Sequence, residues 1–346
     1  MDYRPLGRTG IEVSAISLGT MTWGTQNTAE EGFAQMDLAV ERGINLFDAA
    51  EMYPTPPSEE TYGRVEEILG DWLRSRKARD KVVVATKVVG PDSRFGYIRD
   101  GSGRLDRANI EAALEASLKR LKTDYVDLYQ LHWPERSVNS FGQLGYVHEA
   151  DEDPTPLEET LGVLDELVTA GKIRAYGVSN ETPWGTMTLL KLAEQGKGPR
   201  CASIQNPYSL LNRSFEVGLA EVAIREDCGL LAYAPIAGGV LSGKYLDGAK
   251  PAGARMTLHP GNTRYTKPNA EPAVRKYVEL ARDHGLKPEV LAGAFVVSRP
   301  FVTSSIVGAT RLEQLETQIS AMDTALSPEV LEGIEAIHRE HTIPCP

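Results

Sequence analysis

Cysteine is scarce. The 346 residues hold three, Cys201, Cys228 and Cys345, at spacings that match no metal-binding pattern, so no metal site is expected. So few thiols, odd in number, exclude a disulfide framework and fit a reducing, cytoplasmic compartment. Long apolar runs are missing as well. Nothing approaches the roughly 20 residues that a membrane-crossing helix requires. No apolar stretch follows Met1-Asp2-Tyr3-Arg4-Pro5, so a secretory leader is not expected. Basic residues are outnumbered, 37 Lys and Arg against 48 Asp and Glu, for a net charge of −11. That balance argues against nucleic acid or an anionic membrane as partner, and still permits a local basic pocket around a phosphate. Also absent is a G-x-G-x-x-G turn behind an early strand, the usual dinucleotide signature of an open, doubly wound sheet.

What is present is alternation. After a short hairpin around Gly7-Arg8-Thr9-Gly10, apolar strand-like runs recur at Ala15–Leu18, Ile44–Phe47, Val82–Lys87, Tyr125–Leu131, Ile173–Val178, Ala202–Gln205, Gly229–Tyr233 and Val302–Val307. Helical patterns lie between them. Thr28 and Glu31 form a capping box ahead of Phe33, Met36 and Val40, and Gly43 stops that helix. A second helix is expected over about Ser58–Arg74, and another over about Ser214–Glu226. Thr155 with Glu158, and Thr310 with Glu313, read as further capping boxes; Leu312, Leu315, Ile319 and Met322 share one face. Eight strands alternating with eight helices predict a right-handed βαβ series closed into a (β/α)8 TIM barrel, one domain over residues 1–346. Two stretches without periodicity, Trp133–Pro154 and Ala234–Asn269, become long loops after the fourth and seventh barrel strands. Loops of that length inside a domain are usually functional.

Three successive runs end in ionisable residues. Asp48 closes Ile44–Phe47, Lys87 closes the next run and His132 follows Leu131, with Tyr53 on the loop beyond Asp48. The C-terminal rim of a parallel sheet is where such folds keep their chemistry. A phenol can donate a proton, but its ordinary pKa of about 10 calls for a cation beside it. Lys87 would be such a cation and favour the phenolate. A second reading makes Lys87 a Schiff-base lysine.

Two late segments suit a nicotinamide cofactor. Gly238, Leu241, Gly243 and Lys244 lie in a glycine-rich turn behind the seventh strand, where backbone can approach a pyrophosphate. Gly308, Thr310 and Arg311 open a helix behind the eighth, and helix N-termini attract anions. Arg255 and Arg311 are placed to pair with an extra 2′-phosphate, which selects NADPH over NADH. Tyr233 is positioned to stack on the nicotinamide. Ser179, Asn180 and Gln205 offer groups for its carboxamide. Trp23 and Trp133 are the expected walls of a pocket for a small-molecule carbonyl substrate.

The chain resembles the aldo-keto reductases along nearly its whole length. The resemblance rests on Asn45-Leu46-Phe47-Asp48-Ala49-Ala50-Glu51-Met52-Tyr53, Thr86-Lys87, Asp124 through His132, Gly177-Val178-Ser179-Asn180, Gln205-Asn206-Pro207-Tyr208 and Gly239-Val240-Leu241-Ser242-Gly243-Lys244-Tyr245. Within that family it is most similar to the Tas-like bacterial branch, near the potassium-channel β-subunits. The resemblance implies a (β/α)8 barrel, NADPH/NADP+ and reduction of aldehydes or ketones. It implies a tetrad: Tyr53 as general acid, Lys87 and Asp48 behind it, and His132 orienting the carbonyl. It also places Thr20, Met21, Asp48, Ala234, Pro235, Ile236, Gln314 and Gln318 against the cofactor. Ala234 stands where many relatives have serine, and Gln318 where asparagine commonly meets adenine. The β-subunit branch implies an alternative, an NADPH-binding regulatory or partner-docking protein. The sequence sets neither the substrate nor an oligomeric state.

Overall fold

Period-two alternation within each strand decides which side chains point into the barrel. The computed structural model describes residues 1–346. A hairpin of β1 (Tyr3–Pro5) and β2 (Glu12–Ser14) precedes eight parallel strands: β3 (Ile16–Gly19), β4 (Leu46–Asp48), β5 (Val83–Val88), β6 (Val126–Leu131), β7 (Ile173–Ser179), β8 (Ser203–Pro207), β9 (Gly229–Tyr233) and β10 (Val302–Val307). They hydrogen-bond in chain order, and β10 pairs with β3 to close the barrel. The helices are α1 (Ala29–Glu41), α2 (Arg64–Arg76), α3 (Arg107–Leu121), α4 (Leu157–Thr169), α5 (Pro183–Glu194), α6 (Leu219–Arg225), α7 (Arg255–Leu258), α8 (Ala270–Asp283), α9 (Pro288–Val297), α10 (Leu312–Ile319) and α11 (Pro328–Glu340).

Two cores result. The larger lies between barrel and helices; Phe47, for example, meets Trp72 of α2 edge-on at 5.4 Å. The smaller fills the lumen with Leu46, Val83, Ala85, Leu128, Ala175, Leu231 and Ile306, and the hairpin plugs its N-terminal end with Leu6, Ile11 and Val13. Gly7 lets that plug seat: a Cβ there would sit 2.7 Å from the Ala202 carbonyl oxygen, and its φ is +57°. The lumen core also aims the polar residues at the strand ends. Leu46 points inward, so Asp48 does too; Val83 and Ala85 point inward, so Lys87 does; Leu128 points inward, and so does Gln130.

Several local expectations change. The Thr28–Glu31 capping box forms. The other two do not. Thr155 turns its backbone N–H and hydroxyl to Glu135 Oε1, at 2.9 and 3.3 Å, because the fourth-strand loop folds back over the helix start. At α10, Gln314 rather than Glu313 accepts from both the N–H and the hydroxyl of Thr310, each at 3.1 Å. The helix expected from Ser58 begins at Arg64, since Gly63 at φ +79° interrupts the turn before it. Gly218 likewise splits the helix expected over Ser214–Glu226 into a 3-10 turn, Ser214–Val217, and α6. Val40 and Leu312 are both 40% exposed; each sits at the edge of its apolar stripe, beyond the reach of the barrel.

Candidate functional site

The C-terminal mouth of the barrel opens into a cleft of 980 Å³. Asp48, Tyr53 and His132 line it, and Lys87 lies beneath its floor at 0% exposure. Lys87 Nζ donates to Asp48 Oδ2 and to the Ala49 carbonyl, each at 2.7 Å. Asp48 Oδ1 accepts from Gln205 Nε2 at 2.8 Å and from Gln130 Nε2 at 3.2 Å. The carboxylate therefore holds one cation and two amide donors, which is how a buried charge is made tolerable. Tyr53 leans over this pair. Its ring centroid is 4.8 Å from Lys87 Nζ and 5.8 Å from the His132 ring, which it meets edge-on. The structure thus brings together all four residues expected at the rim.

Gln130 was not singled out by sequence. Its signal was available: it lies two residues after the lumen-facing Leu128, so the alternation carries it to the same floor. The loop after β5 holds a further ion pair that no local sequence pattern signals. Arg99 clamps Glu51 through both carboxylate oxygens, at 2.5 and 3.0 Å, and Glu51 accepts from the Val89 N–H at 2.7 Å. That ion pair ties the loop to the segment carrying Tyr53 and brings Phe95 against Trp133 at 5.8 Å.

The electrostatics depart from expectation at Tyr53. Lys87 was expected to lower the phenol's pKa. Instead burial pushes it well up, the Asp48 carboxylate and Tyr233 add to this, and only Arg255 opposes. Beside this burial, the short Lys87–Asp48 contact leaves the cation near the ring already answered by an anion. Lys87 itself is pulled below its usual range by burial, with Asp48 resisting. It is also shielded from the cleft, so the Schiff-base reading has no path for a substrate to reach Nζ.

His132 is held well below its ordinary 6.5, first by burial and then by the Lys87 charge, and its Nδ1 has no hydrogen-bond partner. The native ring is therefore neutral, while the unfolded chain takes up a proton near 6.5. The unfolded state then binds more protons, so stability rises with pH across that window and falls as pH drops below it. The slope is up to about 1.4 kcal/mol per pH unit. His132→Gln is expected to flatten this share of the acid side of a thermal-unfolding profile. An unchanged profile would mean that the native ring is protonated.

The residues expected around a cofactor mostly line the same cleft. Thr20, Met21, Ser179, Asn180 and Gln205 stand at its floor; Tyr233, Ala234, Pro235, Ile236, Gly238, Lys244 and Arg255 form one wall; Gly308, Thr310, Arg311, Gln314 and Gln318 form the other. The carboxamide group is already knitted together. Ser179 Oγ donates to the Gln205 carbonyl at 2.7 Å, Asn180 Nδ2 to the His132 carbonyl at 2.8 Å, and Tyr233 Oη to Asn180 Oδ1 at 2.6 Å.

Three expected residues fall outside. Trp23 is 0% exposed in the core, its indole N–H bonded to Gln35 Oε1 at 3.0 Å; α1 and α2 close over it, so it walls no pocket. Leu241 points into the hydrophobic core at 1% exposure. Gly243, at φ +79°, packs against Val278 and serves the turn itself. Trp133 does line the cleft, with its indole N–H on the Pro91 carbonyl at 3.1 Å.

Whether a dinucleotide suits this cleft can be judged from its unanswered groups. Gln318 Oε1 is buried without a partner while its amide nitrogen is anchored on the Gly308 carbonyl at 2.9 Å. Ala234, Ala237, Gly238 and Gly239 all take positive φ, from +49° to +92°, which folds the segment into a tight turn whose Ala237 and Gly239 N–H groups donate to the Ala234 and Ile236 carbonyls. Lys244 stands beside it without an ion pair within reach. These features fit a ligand with an acceptor-hungry base at one end and phosphates in the middle.

Comparison with known proteins agrees with the geometry. The chain is 51% identical to protein tas of Escherichia coli K12 over 346 residues, all of both chains. It is 32% identical to L-glyceraldehyde 3-phosphate reductase of the same organism, covering 93% of this chain and 88% of that one. It is 30% identical to a probable voltage-gated potassium channel subunit beta of Arabidopsis thaliana, covering 97% and 96%. Residues 15–339 match the Aldo/keto reductase family. The chain, with a closed eight-stranded barrel and ionisable groups at its C-terminal mouth, belongs to the aldo/keto reductase family of oxidoreductases.

Proposed function

We propose that this protein reduces aldehydes or ketones to alcohols with NADPH, and that Tyr53 delivers the proton. The observation that carries the reading is the cluster at the cleft floor: a phenol over a buried Lys87–Asp48 pair, with the His132 imidazole meeting its edge. When bound, NADPH supplies a hydride to the carbonyl carbon. The chain's own part is to hold the carbonyl and to give its oxygen a proton.

His132, held neutral by burial and lining the cleft beside Tyr53, orients the carbonyl oxygen. The raised phenol pKa suits an acid more than a base. Tyr53 keeps its proton until negative charge grows on the substrate oxygen, and an alkoxide is a far stronger base than a phenolate. The phenolate left behind is met by Lys87, whose two hydrogen bonds leave a third N–H to offer. Solvent then returns the proton to Tyr53. Trp133 and Phe95 keep the carbonyl side of the cleft apolar, which strengthens each of these interactions.

Ser179, Asn180 and Gln205 would hold the carboxamide, with Tyr233 stacked on the ring. Lys244 would hold the pyrophosphate, Arg311 the 2′-phosphate, and Gln318 the adenine, while Arg255, expected at the 2′-phosphate, lies near Tyr53. The test is a titration of the protein with NADPH and NADH, followed by an aldehyde panel on the complex. NADPH is expected to bind about ten- to hundred-fold tighter, as a charge-assisted phosphate contact implies. Arg311→Leu should bring the two together. Equal affinities in the unaltered protein would remove the 2′-phosphate assignment. Steady-state turnover separates an enzyme from a regulatory NADPH binder, which would show at most very slow oxidation of bound NADPH.

A further inference from the structure

Six cations line the cleft, and two are answered by a carboxylate: Arg94 pairs with Asp92, and Arg136 with Glu181. Lys244 and Arg311 repel one another at the end assigned to cofactor phosphates, and Arg255 lies near Tyr53. Of the four cations without a carboxylate, Arg264 is the one whose side chain is hydrogen-bonded in place. It lies in the long loop after β9, lines the cleft, and has no carboxylate within ion-pair distance. Its hydrogen bonds converge on one atom: both terminal nitrogens donate to Tyr233 Oη, at 3.3 and 3.2 Å. Its Nε is buried with no partner.

Three rings surround the guanidinium. The Phe141, Tyr233 and Tyr265 centroids lie 5.9, 5.3 and 5.5 Å from its central carbon. Aromatic faces hold a cation and strip its water without neutralising it. A guanidinium so placed presents a rigid fork of donors, the geometry that carboxylates and phosphates match.

Its neighbours set the side of the cleft. Phe141 meets Trp133 edge-on at 6.0 Å, Trp133 lies 4.8 Å from His132, and His132 meets Tyr53. Arg264 therefore belongs to the wall shared with the carbonyl pocket. The protein as a whole carries −11, so an anion reaching this pocket needs a local cation to receive it.

We propose that Arg264 binds an anionic group, carboxylate or phosphate, carried by the carbonyl substrate, so that the preferred substrates are acidic aldehydes or ketones. The proposal rests on the carbonyl-reductase reading of the cleft and narrows it to a substrate class.

The test compares 4-carboxybenzaldehyde and 4-formylphenyl phosphate with 4-methylbenzaldehyde on the full-length protein, on Arg264→Gln and on Arg264→Lys. In parallel, binding of the unreactive anions benzoate and phenyl phosphate is measured by calorimetry, with and without NADP+. The unaltered protein is expected to prefer a charged aldehyde by about ten- to hundred-fold in kcat/KM, mainly through KM. Arg264→Gln should bring that ratio close to one and weaken the matching anion by the same factor, while Arg264→Lys keeps part of both. Whichever anion binds tighter identifies carboxylate or phosphate. Equal anion affinity in the unaltered protein and Arg264→Gln overturns the proposal. So does a loss of NADPH affinity in Arg264→Gln with anion binding intact, which would assign the arginine to the cofactor. Arg264-dependent anion binding without turnover of any aldehyde would support the anion site and sink the reductase reading alone.

Discussion

Tyr53→Phe is expected to lower kcat for aldehyde reduction by about 10³-fold, while the affinity for NADPH changes by less than about threefold. The substitution deletes one oxygen and keeps the ring, so the edge-on contact with His132 and the face toward Lys87 persist. What disappears is the proposed proton donor to the carbonyl oxygen, and a positioned general acid is worth about 10² to 10⁴ in rate. His132 cannot take its place. Burial and the Lys87 charge hold the imidazole neutral, so it carries no readily released proton near neutral pH. Lys87 cannot either, because it lies under the floor, shielded from the cleft, with two of its three protons held by Asp48 and Ala49. Stopped-flow measurement of NADPH oxidation, with fluorescence titration of the cofactor, separates the two quantities. A rate within tenfold of the unaltered protein would mean that the proton comes from elsewhere, and the proposed mechanism would go with it.

The barrel was legible because each of its signals is local. Strands of a parallel sheet covered on both sides read as apolar runs, and the residue that ends such a run reaches the rim. Asp48, Lys87 and His132 stood out for that reason. Gln130 did not, although it faces the same floor, because an amide inside a strand carries no charge to draw notice. Trp23 misled in the opposite way. Being an aromatic on a loop beyond a barrel strand, it looked like a pocket wall; only the packing of α1 and α2 shows it enclosed. The failed capping boxes share that logic. Thr155 and Thr310 each had a suitable acid three residues on, but Glu135 and Gln314 were nearer in space, and one of these comes from a loop whose path no local pattern encodes. Arg264 escaped notice because its meaning lies in what it lacks. A missing carboxylate is visible only once the loop after β9 has been folded over the mouth.

Lys87→Met is the second substitution with a large expected effect, here on stability as well as on turnover. Removing one member of a buried ion pair costs about 3–5 kcal/mol, because the other charge is left without its partner. Asp48 retains the amide donors of Gln205 and Gln130, so the lower end of that range is expected. Pairing the change with Asp48→Asn removes the stranded carboxylate and should return part of the loss, a non-additivity that a double-mutant cycle in urea measures. The single Asp48→Asn variant reports on the other half of the pair. Burial lowers the Lys87 pKa and Asp48 raises it. Without the carboxylate the ammonium titrates lower still. Native protein then binds fewer protons than unfolded chain over a wider interval below 10.5, so the stability of Asp48→Asn should climb with pH through that interval more steeply than that of the unaltered protein. Parallel stability curves for the two proteins between neutral and alkaline pH would show that Asp48 does not hold the proton on Lys87. The phenolate formed at Tyr53 would then have no cation to receive it.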